Sequence, residues 1–195
     1  MNIAIPEESL EPSLRDLSGV TLELATLSTR SAMWTAHGMM PPAALQELAT
    51  VGVVEEPVEV QVVASPIWQE EKLRVRVQGE CRGNIRLACS RCLIEFNLPI
   101  DAEIDAFYAP GKDPAIKNKR WQFEEDVVFI PDGMLKLKHL VEEELLLALP
   151  MNPICVSGCA GLCAGCGADL NRAPCSCRKA TPTGPFAVLK KLQSY

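Results

Sequence analysis

Six of the chain's nine cysteines fall between residues 155 and 177, as Cys155-x3-Cys159-x3-Cys163-x2-Cys166 followed by Cys175-x-Cys177. No other feature restricts the fold as much. The glycines and small residues between them permit tight turns that aim several sulfurs at one point. Cys163-x2-Cys166-Gly167 has the form of a zinc knuckle, with two thiolates on one turn and a glycine free to take the positive φ that closes it. Cys175 and Cys177 can supply two more sulfurs, and Cys89-x2-Cys92 is a further pair far upstream.

Such a pattern means disulfides in an oxidising compartment and metal in a reducing one. The N-terminus, Met1-Asn-Ile-Ala-Ile-Pro-Glu, lacks the basic start and apolar stretch of a signal peptide. No apolar run approaches the roughly 20 residues that span a bilayer, and the longest, near Leu145–Met151, is broken by Pro150. The expectation is a cytoplasmic protein with no membrane partner, whose clustered cysteines bind metal.

The rest of the chain reads as α+β. Residues 1–57 form a mixed segment. In it Val20–Ala25 alternates like a strand, and Pro41–Ala49 reads as a short helix opened by proline. Residues 58–150 form an antiparallel sheet with a packed helix. Val58, Val60 and Val62 share one face, Leu73, Val75 and Val77 another, and Ile85, Leu87, Ile100 and Ile104 continue the alternation. Gly79 to Gly83 is expected to bend the chain, Cys89 and Cys92 to sit at a turn between strands, and Val127–Ile130 to be a short strand. A polar loop occupies residues 109–122. Leu137–Leu149 carries a helical apolar stripe that Pro150 ends. Glu144 falls mid-stripe, so it either reaches water or is buried against a cation, with Arg91 the first candidate and Arg74, Arg76 and Arg86 the others. Residues 151–195 form a Cys-rich zinc module, a linker at 181–185 and a short amphipathic helix from Phe186 to Leu192.

Several chemistries fail on the residues. Cys159-x3-Cys163-x2-Cys166 has radical-SAM spacing, but that chemistry needs a barrel domain and only 29 residues follow Cys166. Four thiolates suit iron as well as zinc. Hydrolytic zinc needs an open position and usually His or carboxylate ligands, whereas His37 and His139 stand outside any HExxH or HxE pattern. No acid, base and nucleophile converge, so neither catalysis nor a small-molecule substrate is expected. Cys81 reads as a small apolar strand residue. The other eight cysteines fit two structural sites, Cys163, Cys166, Cys175 and Cys177 in one, and Cys89, Cys92, Cys155 and Cys159 in the other. A single site of Cys155, Cys159, Cys163 and Cys166 is the alternative.

The net charge of −6 is uneven. After residue 150, Arg172, Arg178, Lys179, Lys190 and Lys191 face Asp169 alone, giving +4, so residues 1–150 carry −10. An acidic body disfavours non-specific wrapping of nucleic acid. The five tail cations remain candidates for a local RNA contact.

Cys89-x2-Cys92, Glu143-Glu144-Leu-Leu-Leu-Ala-Leu-Pro150, the six clustered cysteines with Leu170-Asn171, and Pro185-Phe-Ala-Val-Leu189 occur in one order. This combination resembles the YceD family of large ribosomal RNA subunit accumulation proteins over about residues 58–192. The resemblance implies a non-catalytic role in 23S ribosomal RNA accumulation and large-subunit assembly. The expected partner is precursor ribosomal RNA or an early large-subunit ribosomal protein, and the expected cofactor one or two structural Zn²⁺. A zinc-ribbon-like interaction protein of transcription or another complex is the alternative.

Overall fold

A computed structural model describes residues 15–28, 32–69, 72–112 and 127–177. Arg178, Lys179, Lys190 and Lys191, the linker, the segment 186–192 and most of the loop at 109–122 lie outside the described residues. The chain divides into two compact units, one of Met1–Leu87 with Asn97–Met151, the other of Ala88–Phe96 with Asn152–Tyr195.

The first unit is built on strands β2 (Trp34–Met40), β3 (Val58–Gln69), β4 (Lys72–Ala88), β5 (Glu95–Pro110) and β6 (Val127–Ile130), in that order across one sheet. Alternation sets the faces. Val58, Val60, Val62, Ala64, Val75, Val77, Cys81, Ile85, Leu87, Ile100, Ala102 and Ile104 are all buried. The intervening residues of β4 and β5 meet water and pair there: Arg76 bonds both Asp105 oxygens at 2.8 and 2.7 Å, and Arg82 reaches Glu80 at 2.7 Å. Exposed pairs of this kind contribute at most about 1 kcal/mol each, while burying a valine or leucine contributes about 1.5–3 kcal/mol. The apolar face therefore holds the sheet.

Helix α1 (Leu137–Ala148) buries Leu137, Leu140, Val141 and Leu145, as its stripe predicts. Its carboxylates sense the inner face of the sheet. The Tyr108 phenol is raised well above its usual pKa by burial and by Glu143 and Glu144, and the Cys81 thiol is pushed up to about 12 by burial, Glu144 and Glu80. A second, two-stranded sheet pairs β1 (Thr21–Glu23) antiparallel with β7 (Met134–Lys136). Leu17, Leu22, Leu24, Leu27, Met40, Leu45 and Leu48 are buried as well, so residues before Val58 contribute to the same core.

Four expectations are corrected. The sheet is mixed, because β6 pairs with β5 in parallel; a long connection between Pro110 and Val127 allows the crossover that a hairpin forbids. Gly79 does not bend the chain but lies within a continuous β4, opposite Val62. A Cβ there would collide with the Gln61 carbonyl, so the glycine serves close strand approach. The alternation at Val20–Ala25 is a strand only to Glu23, where a 3-10 turn (Leu24–Leu27) takes over. The helix at Pro41–Ala49 is two 3-10 turns, Pro42–Ala44 and Leu48–Thr50, separated by the fully buried Leu45.

For Glu144 the structure takes the first of the two readings, a carboxylate partly open to water rather than one buried against a cation. It is half-buried, with its pKa raised by burial and by Glu143, and it forms no ion pair among the described residues. Arg91 directs its guanidinium to the Cys159 carbonyl at 2.8 Å, Arg76 pairs with Asp105, and Arg86 pairs with Glu55 at 2.8 Å. The buried carboxylate is Glu142, 5% exposed. It takes peptide donors rather than a cation: the N–H groups of Glu47 and Leu48 both donate to its Oε1, the latter at 2.9 Å. These amides lead into the 3-10 turn at Leu48–Thr50, where a carboxylate is favoured.

Candidate metal centres

Among the described residues of the second unit, Cys89, Cys92 and Cys159 form a buried cluster, with Phe96, Cys155 and Leu162 packed against it. Thiols occupy the place where a domain of this size would otherwise put leucines.

Two CxxC turns carry the geometry, and they are the same turn. In the first, Cys89 N–H donates to Ile94 O at 2.8 Å and Leu93 N–H to Cys89 O at 2.9 Å. In the second, Cys163 N–H donates to Ala168 O at 2.8 Å and Gly167 N–H to Cys163 O at 2.8 Å. Both turns close on a left-handed residue. Gly167 does so at φ 72° as the sequence predicts, but the equivalent residue in the first turn is Leu93 at φ 62°. A residue with a Cβ pays about 1–2 kcal/mol for that conformation.

The eight sulfurs gather into two groups. Those of Cys89, Cys92, Cys155 and Cys159 lie within 4.8 Å of one another, as do those of Cys163, Cys166, Cys175 and Cys177. The single set of Cys155, Cys159, Cys163 and Cys166 is not assembled. In the first group Cys89 Sγ is 3.8 Å from Cys159 Sγ, and Cys92 Sγ is 3.7 Å from Cys155 Sγ. A tetrahedral ion with bonds of about 2.3 Å places its sulfurs about 3.8 Å apart. The first group has that spacing. In the second, Cys175 and Cys163 approach to 3.1 Å, so an ion would spread them slightly. Sulfurs gathered within 4.8 Å of one another suit a single ion better than the wider cage of a multi-iron cluster.

Electrostatics fit a cation in each group. Burial pushes the Cys89 thiol up, but the N–H groups of Cys92, Cys155 and Arg91 outweigh it and bring the thiol down to about 6. The Cys163 thiol is brought to about 6 by the Cys175 thiol and the N–H groups of Gly165 and Cys166. Their companions resist ionisation. Cys155 is pushed up to about 12 by burial and by Cys92, Cys89 and Cys159, and Cys177 to about 12 by Cys166 and Cys163. One thiolate per group forms readily, at Cys89 and at Cys163, and opposes ionisation of Cys155 in the first and Cys177 in the second; a divalent ion reverses that opposition.

The groups differ in exposure. Three of the first four cysteines are buried, whereas Cys166 and Cys177 stand in solvent. Asn171 joins them, accepting Ala160 N–H at 2.7 Å and directing its amide to Cys159 Sγ at 3.5 Å and to Asp169 Oδ1 at 2.7 Å. Arg91 adds a second tie, since its carbonyl accepts Leu162 N–H at 3.0 Å. Neither role is legible in the residue types alone. Of the five RNA-contact candidates only Arg172 lies among the described residues. Its side chain is 85% exposed and stands 3.5 Å from Asp169.

Comparisons with known proteins follow the same residues. The family model for the large ribosomal RNA subunit accumulation protein YceD matches residues 77–193, including all eight clustered cysteines. The chain is 28% identical over 159 residues to the large ribosomal RNA subunit accumulation protein YCED homolog 1, chloroplastic, of Arabidopsis thaliana, covering 68% of this chain and 49% of that protein. It is 30% identical over 82 residues to an uncharacterised protein of Mycobacterium leprae (strain TN), covering 42% of this chain and 36% of that one. The chain thus spans about half or less of the curated relatives it matches. No solved structure matches it.

Proposed function

The chain belongs to the YceD family, and from that premise we propose that it is a non-catalytic factor supporting 23S ribosomal RNA accumulation and large-subunit assembly. Each four-cysteine group holds a structural Zn²⁺, and the protein acts in the cytoplasm. The partner it grips is a basic large-subunit ribosomal protein rather than the RNA. Among the described residues no helix is long and apolar enough to cross a membrane.

Charge carries the choice of partner. A Zn²⁺ bound by four thiolates adds about −2. The unit of residues 88–96 and 152–195 has six Arg and Lys against Glu95 and Asp169, a formal +4. Two loaded centres cancel this, and the whole chain moves from −6 to about −10. A neutral module on an acidic body favours a cationic protein over a polyanion.

Depletion of the protein in its own cells is expected to lower the ratio of 23S to 16S ribosomal RNA, with recovery on re-expression. An unchanged ratio would remove the assembly reading. In binding assays at physiological salt, a purified basic large-subunit protein is expected to bind and a 23S ribosomal RNA transcript is not. The reverse result would return the partner to RNA.

A further inference from the structure

We propose that the Cys89-x2-Cys92 turn is a docking surface for a cationic amphipathic segment of a partner protein. Leu93 and Ile94 form its tip, with Ile154 and Val156 beside it. The inference rests on the reading of a basic protein partner and assigns it a place on this chain.

The starting observation is a pair of matched turns with unmatched closing residues. The second turn uses Gly167, which takes a positive φ without strain; the first uses Leu93 at φ 62°. Burial does not offset that strain, because Leu93 is 65% exposed. A strained backbone position that shows a large apolar side chain to water is a mark of function rather than of stability.

Leu93 does not stand alone. Ile94, Ile154 and Val156 are also exposed. Leu93 follows Cys92, and Ile154 and Val156 flank Cys155, whose sulfur lies 3.7 Å from that of Cys92. Ser90 N–H donates to Pro153 O at 2.8 Å, holding the two stretches together. The four exposed apolar residues are thus near neighbours in the chain of two cysteines of one thiolate centre. When loaded, that centre carries about −2. Arg91, within the turn, donates to the Cys159 carbonyl at 2.8 Å and offsets part of that charge. Apolar side chains near a negative centre, on a chain of net negative charge, complement a segment with apolar residues on one side and Lys or Arg around them.

The test uses the zinc-loaded full chain and separately purified basic proteins of the large ribosomal subunit, with affinities measured by calorimetry. Leu93→Asn and Leu93→Gly both accept the left-handed turn. They are expected to keep the wild-type zinc content and a melting temperature equal to or above wild type, while weakening the protein complex by about tenfold or more. Val156→Ser, outside the turn, is expected to weaken the same complex. Affinity unchanged in all three variants would overturn the surface and leave the protein-partner reading standing. Failure of every basic protein to bind the wild-type chain would overturn both. Lower zinc content or melting temperature in Leu93→Gly would make Leu93 a structural residue and overturn the proposal. A wild-type dimer that Leu93→Asn dissociates would assign the surface to a second copy of this chain and overturn the stated partner.

Discussion

Replacing Cys89 by serine is expected to remove about one equivalent of metal and to unfold the Cys-rich unit, whereas Cys163→Ser removes about one equivalent and loosens only residues 161–177. The asymmetry follows from burial and from distance along the chain. Cys89 is buried, accepts N–H groups from Arg91 and Cys155 at 3.4 Å, and belongs to a group joining residue 89 to residue 159. The binding free energy of a structural zinc, about 10–16 kcal/mol in small peptides, is folding free energy for a unit whose described buried cluster is made of these cysteines. Cys163 belongs to a group closed within 15 residues and open to solvent on two of its cysteines. Elemental analysis with amide hydrogen exchange reads both effects. Equal, local loosening in the two variants would contradict the assignment of the Cys89 group as the core of its unit.

The second large effect lies in the other unit. Glu142→Ala is expected to destabilise it by about 3 kcal/mol, because two peptide N–H groups, the buried one of Leu48 and the part-buried one of Glu47, lose their acceptor and a cavity replaces the carboxylate. For a chain of this size that is a fall of roughly 10 °C in melting temperature. Glu142→Gln retains a carbonyl oxygen for the amides of Glu47 and Leu48 and is expected to cost about half as much. Metal content stays at the wild-type value in both. A loss below about 1 kcal/mol for Glu142→Ala would show that water replaces the carboxylate without penalty.

Glu142 also shows where sequence reasoning stops. A helical wheel places Glu144 mid-stripe and Glu142 to the side, and the wheel is right about Leu137, Leu140, Val141 and Leu145. It carries no knowledge of two free amides at Glu47 and Leu48, nearly a hundred residues earlier, that make the side position the buried one. The same limit hides β2. Trp34–Met40 includes His37 and Gly38 and gains its place from pairing with β3, not from an apolar alternation of its own. Gly79 reads as a bend because local sequence cannot show the Gln61 carbonyl that excludes a Cβ. The cysteines are legible because ligand spacing is local: each CxxC fixes its own turn, and only the joining of residues 89 and 92 to 155 and 159 depends on the fold. Leu93 is the counterexample inside that motif, since a positive φ is expected of a glycine and the sequence offers a leucine.

The account stands most directly on the metal content of the protein purified without added metal. Elemental analysis with a parallel thiol titration of the native protein is expected to give two zinc ions per folded chain and no readily reactive thiol, because eight cysteines hold metal and the ninth, Cys81, is buried with its thiol pushed up to about 12. Iron in place of zinc would change the ion and keep the two sites. A fully folded chain that holds no metal and shows eight free thiols in the two groups would contradict the account.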